Sequence, residues 1–135
     1  MESITVSAKP EVLDSVVEFI TARLTRCGCS EDVQLEVRLA VEEIFVNITS
    51  YAYHPQDGEA EIRCDVLEDP LRVVIQILDS GRPFDPLARE RADTSEEALI
   101  ARDGGLGILL VCSTMDNVSY SYENGRNILT ILKKL

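Results

Sequence analysis

The segment 59-EAEIRCDVLEDPLRVVIQILDSG-81 alternates apolar and charged residues through Ala60, Ile62, Cys64 and Val66, then enters LRVVIQILD, a run rich in β-branched residues. A period of two sets one group of side chains on one face, the pattern of a half-buried strand. Asp69-Pro70 between the two runs supplies a turn, so the segment reads as a β-hairpin. Its second strand ends at Asp79-Ser80-Gly81.

Upstream the period is helical. Pro10 marks a helix start, and Leu13, Val16, Val17, Ile20 and Leu24 recur at helical spacing before Gly28 stops the segment. Ser30 caps a second helix, SEDVQLEVRLAVEEIFVNITSYAY, with acids in its first turn and Val37, Ala40, Val41, Ile44 and Ile48 on one stripe. This helix is expected to end near Tyr53, with HPQDG as a loop and the early ITVSA as a further strand.

Downstream, residues 80–103 are polar, carry two prolines and support at most a short helix near 95–101. So long an irregular stretch in a compact domain is functional or mobile. Glycines then lead into a helix over 106–115, and NVSYSYE-NG-RNILTILKKL is a strand pair around the strongest short hairpin turn. With no repeat or linker, 1–135 reads as a single α+β domain. The element order predicts a two-layer α/β sandwich, helices packed on one face of a mixed, mostly antiparallel sheet.

The 135 residues, 45% hydrophobic and 27% charged, suffice for one core. A net charge of −11 argues against direct nucleic-acid binding, which needs a basic face, but a nucleotide can be held by backbone N–H groups and a divalent cation. The acids are spread over SEDVQLE, VEE, DGEAE, LEDP and TSEEA, which fits solvated surface and also a docking face for a basic partner. Neither a leader nor a membrane-spanning stretch is found, so the expected location is cytoplasmic, with no membrane partner. Cysteines 27, 29, 64 and 112 form no CxxC pair, which argues against structural zinc. All four are expected as reduced thiols, with Cys64 and Cys112 acting as small buried hydrophobes.

Three short motifs can carry chemistry. Glu43 and Asn47, four apart on the second helix, project from one face off the apolar stripe. Alone, the pair fits a solvent-facing hydrogen bond; it equally fits a carboxylate that takes a proton from an attacking oxygen beside an amide oxygen that ligates magnesium. Asp79-Ser80-Gly81 fits an ordinary exit from a sheet, or an acceptor for an exocyclic amine with room beside Gly81 for a flat base. Gly104-Gly105-Leu106-Gly107 before a helix fits a tight turn or a phosphate cradle of backbone N–H groups. No Gly-Lys-Ser or Gly-Lys-Thr follows, so it is not a P-loop, and no strand directly precedes it as a dinucleotide fingerprint requires.

Taken in order and spacing, E-x-x-x-N, D-x-G-x-P-F and G-G-L-G resemble the N, G1 and G2 boxes of the ATP-binding fold shared by DNA gyrase, sensor histidine kinases and heat-shock chaperone ATPases. Within that superfamily VEEIFVNITSYAY, DSGRPFDP, GGLGILLVCSTMDNVSY and the C-terminal N-x-L strand resemble the stand-alone bacterial anti-sigma-factor serine/threonine kinases, over residues 5–133. The resemblance implies ATP and Mg2+ as cofactors, with Glu43 as general base and Asn47 as magnesium ligand. Asp79 would contact the adenine amine, Gly81 would floor the base, and Thr130 would support the adenine contact through water. Gly104, Gly105, Leu106 and Gly107 would cradle the phosphates, and residues 84–103 would form a lid with Arg102 near its phosphate end. Tyr51 departs from the family, which often has His there, and His54 reads as a surface loop residue. The implied activity is transfer of the ATP γ-phosphate to an anti-sigma-factor antagonist, with a sigma factor bound in another state and a homodimer as the working form. A nucleotide-gated binding module without kinase activity is the alternative, and Glu43 speaks against it because pure sensing needs no base.

Overall fold

Strand β1 (Glu2–Ser7) leads through a 3-10 turn (Pro10–Val12) into helix α1 (Leu13–Arg26), and helix α2 (Glu31–Asn47) runs on as a π-helical turn (Ile48–Ala52). The hairpin strands β2 (Glu59–Leu67) and β3 (Arg72–Asp79) follow, then helix α3 (Gly105–Thr114) and the strands β4 (Asn117–Glu123) and β5 (Arg126–Lys134). This computed structural model describes residues 1–53, 57–88 and 105–135. The expected short helix near 95–101, His54 and most of the expected lid lie outside the described residues.

Local chemistry accounts for the helix ends. Pro10 opens the 3-10 turn, where a missing N–H costs nothing. The Ser30 hydroxyl accepts from the Val33 N–H at 3.3 Å, and Glu31 and Asp32 complement the positive end of the α2 dipole. Helical winding persists to Ala52, close to the expected end at Tyr53, but its last turn is π rather than α. At the C-terminal hairpin, Asn124 and Gly125 both take positive φ, 53° and 76°, which matches the twist of the flanking strands.

The sheet order is β1-β2-β3-β5-β4, and every pairing among the described strands is antiparallel. The final hairpin folds back so that β5, not β4, pairs with β3; Ile75 stands opposite Ile131, Ile77 opposite Leu129 and Asp79 opposite Asn127. Period-two alternation then separates the faces. Ala60, Ile62, Cys64, Val73, Ile75, Ile77, Leu129 and Ile131 join one core with Val16, Ile20 and Leu24 of α1, Val37, Val41, Ile44 and Phe45 of α2, and Ile108 and Val111 of α3. The helices therefore cover one face of the sheet. On the other face Glu61 accepts from Arg63 and Arg126, each at 2.8 Å, and these hydrogen bonds hold its carboxyl below the usual range. Burial pushes the Cys64 thiol up to about 11, in line with its expected role as a small core residue. Cys112, expected to be buried as well, is only half-buried at the margin of the core.

Candidate active site

Two helices meet over Glu43. A Cβ built on Gly107 would fall inside the Glu43 carboxyl group, so any side chain at 107 would force the tip of Glu43 to move. Seven residues along each helix in opposite order, the Lys133 ammonium donates to Glu36 at 3.3 Å and to the Thr114 carbonyl at 2.6 Å. The helices are therefore antiparallel, with the glycine-rich head of α3 beside Glu43. That cover leaves Glu43 half-buried, and loss of water pushes its carboxyl above the usual carboxylate range. Asn47, the last residue of α2, is half-buried one turn on, where the helix widens into its π turn. Single π turns inside helices are frequent at functional sites.

The end of that π turn reaches the exit of β3. A Cβ on Gly81 would lie 2.7 Å from the carbonyl carbon and the Cβ of Ala52, and the Arg82 N–H donates to the Ala52 carbonyl at 3.2 Å. Tyr53 adds a second tie: its hydroxyl donates to the Glu59 carbonyl and accepts from the Ser80 N–H, both at 2.6 Å. The E-x-x-x-N helix and the D-x-G exit are thus joined through backbone.

Asp79 is buried, with 6% exposure, and a carboxylate so far from water needs partners. Its Oδ1 accepts from the Gly81 N–H and from the Asn127 amide, each at 2.9 Å. Asn127 in turn donates to the Arg82 carbonyl at 3.0 Å, while its Oδ1 accepts from the Phe84 N–H at 3.1 Å and from the Tyr120 hydroxyl. One amide thereby fixes the carboxylate, the strap 81–84 and an aromatic side chain of β4. Beyond the strap, the Asp85 carboxylate accepts from the Leu87 N–H at 2.8 Å.

Of the residues expected from the sequence, Glu43, Asn47, Asp79, Gly81 and Gly107 gather at the ends of α2 and β3 and the head of α3. Gly105 and Leu106 occupy the first turn of α3, while Arg102 and Gly104 lie outside the described residues. Thr130 is a correction. It stands three residues from Asn127, an odd step along β5, which turns it to the sheet face opposite Asp79; there its hydroxyl accepts from Gln76 at 3.4 Å. Asn127 is the residue of β5 that meets Asp79, and counting by twos from the Asn-Gly turn finds that it shares the Asp79 face. Gly81 also has a reason beyond the one expected, since Ala52 fills the space a side chain would need.

The sequence matches the histidine kinase-like ATPase domain family over residues 6–133, and the chain belongs to that family. The superfamily expected from the order of the three motifs is the one found. Among its relatives is the serine-protein kinase RsbW of Listeria monocytogenes, 30% identical over 127 residues that cover 90% of this chain and 80% of the relative. RsbW of Staphylococcus aureus is 30% identical over 129 residues, with 91% and 80% coverage. A chain in the crystal structure of the SiaB-SiaC complex from Pseudomonas aeruginosa shares the fold, with a TM-score of 0.54 at 11% identity over 100% of this chain and 90% of that one.

Two outcomes follow from the Glu43–Gly107 contact. Gly107→Ala should displace the Glu43 carboxyl from the head of α3, and its effect on stability should depend on whether Glu43 or Ala stands at position 43. Thermal denaturation of the single and double variants decides this, and strict additivity of the two substitutions would contradict the contact. Because the Glu43 carboxyl is raised by burial, its favourable neutral form is fully present below the ordinary glutamate pKa and is lost as pH rises through the folded value. Glu43→Gln should therefore be more stable than the unmutated protein at neutral pH, with the advantage shrinking in acid; a stability difference that stays constant across pH would contradict the burial of Glu43.

Proposed function

We propose that this chain is an ATP-dependent serine/threonine protein kinase acting as an anti-sigma factor, which phosphorylates an anti-sigma-factor antagonist and binds a sigma factor in a partner-switching pathway. The observation that carries the reading is Glu43, a half-buried carboxyl above its usual pKa, one turn before Asn47 and against the glycine-rich head of α3. Two relatives named serine-protein kinase, matched over nine-tenths of the chain, support it. None of the helices among the described residues is long and apolar enough to cross a membrane. A homodimer belongs to the same proposal.

The residues present fit ATP and Mg2+. Asp79, held through Oδ1 by Asn127 and Gly81, can accept from the exocyclic amine of adenine at the strand end. The N–H groups in the first turn of α3, around Gly105 and Gly107, offer the positive end of a helix dipole to phosphate, with Gly104 and Arg102 assigned to the same end by the family resemblance. Magnesium would be bound by one protein ligand, Asn47, together with phosphates and water. Bound there, the cation would neutralise charge on the triphosphate. Glu43 orients the incoming hydroxyl and takes its proton, and its raised pKa brings it nearer the operating pH of a general base.

The test is kinetic. Glu43→Gln should reduce phosphorylation of an antagonist protein by ~10²-fold or more with ATP affinity little changed, whereas Asn47→Ala should damage both. Transfer of labelled phosphate by Glu43→Gln at the unmutated rate would remove Glu43 as the base. If the unmutated protein transfers none, the nucleotide-gated binding module becomes the better account.

A further inference from the structure

The antiparallel pairing of α2 with α3 has a second consequence, on the side that faces away from the sheet. With Gly107 level with Glu43 and Thr114 level with Glu36, Leu110 stands opposite the turn of α2 that carries Leu39. Both are exposed, at 45% and 40%. Leu35 and Val46 continue the line at 45% and 43% exposure. On a 3.6-residue repeat, positions 35, 39 and 46 form one ridge, opposite the buried stripe of Val37, Val41 and Ile44. Four of the eight large hydrophobic side chains exposed among the described residues therefore gather on one surface, where scattered single ones would need no explanation.

The surroundings of the ridge say what covers it. Glu31, Asp32, Glu36 and Glu42 rim it, while the nearby cations Arg38 and Lys133 are already engaged, at 3.6 Å by Glu42 and at 3.3 Å by Glu36. A second copy of the same surface would set acids against acids across a two-fold axis. A partner with the opposite rim meets no such repulsion. Val46 stands on the same last turns of α2 as Glu43 and Asn47, on the flank of the helix turned away from the sheet, so the ridge ends level with the candidate site.

We propose that the ridge of Leu35, Leu39, Leu110 and Val46 is the docking surface for the protein that accepts the phosphoryl group, and that this partner meets it with an apolar patch rimmed by Lys and Arg. The inference rests on the kinase reading. Apolar anchors in the ridge supply affinity, and the acidic rim supplies steering and register. A hydroxyl carried beside the partner's patch is thereby delivered to the Glu43 carboxyl.

The experiment uses the full chain, labelled ATP with magnesium, and the anti-sigma-factor antagonist proteins of the source genome presented one at a time. Leu39→Glu with Leu110→Glu should raise the KM for the protein substrate about tenfold or more, while ATP affinity and thermal midpoint stay unchanged. The uncharged pair Leu39→Ala with Leu110→Ala should raise it by a smaller factor, and the KM of the unmutated protein should rise with salt. Transfer by both variants at the unmutated KM overturns the docking surface and leaves the kinase reading standing. A variant that sediments as monomer where the unmutated protein is a dimer, with KM unchanged, assigns the ridge to a second copy and also overturns it. Absence of transfer by the unmutated protein to every antagonist overturns the kinase reading and this proposal together.

Discussion

Asp79 and Asn127 face each other as a register pair on β3 and β5, and they are the two buried polar side chains among the described residues. A carboxylate taken out of water without partners would cost several kcal/mol, roughly the order of a domain's whole stability. Here Oδ1 accepts from the Asn127 amide and the Gly81 N–H. The same amide accepts from Phe84 and Tyr120 and donates to Arg82, so the chain leaving the sheet is fixed by the group that fixes the carboxylate. A polar pair at this depth is tolerated because Asp79 Oδ1 and both ends of the Asn127 amide are hydrogen-bonded.

The helices are bound to that pair by close approaches that exclude side chains. Gly81 meets Ala52 at the end of the π turn, and Gly107 meets Glu43 on α2. Three motifs far apart in sequence thus converge through one helix. Glu43 pays part of the cost, since its half-buried carboxyl is held where water would serve it better. Local rules broken in this way, with compensation elsewhere, are the mark of a site rather than of a scaffold.

Much of this was legible in the sequence. Periods of two and 3.6 gave the strands, both hairpins, the capped start of α2 and its buried stripe, because each element's apolar face must meet the same core. What the periods do not reveal is how elements meet across space. That Gly107 lies on Glu43, or Gly81 on Ala52, depends on helix and sheet packing that no local pattern encodes. Thr130 was misread for a different reason. It shares a strand with Asn127, the hydrogen-bond partner of Asp79, but a shift of three along a pleated strand changes the face, and Asn127 reads as an ordinary residue after a turn. The order of β5 and β4 likewise follows from the crossover through α3, not from the hairpin itself. Arg102, Gly104 and residues 89–103 of the expected lid fall outside the described residues, so they remain part of the proposal drawn from the family resemblance.

The central claim is that Asp79, oriented by Asn127 and Gly81, reads the exocyclic amine of adenine in a magnesium-dependent ATP site. Calorimetric titration of the unmutated protein with ATP and with GTP, each with and without magnesium, tests it most directly. ATP should bind in a magnesium-dependent manner, and GTP, which presents a carbonyl where adenine has its amine, should bind more weakly by about 1–3 kcal/mol. Equal affinity for the two nucleotides would contradict the account.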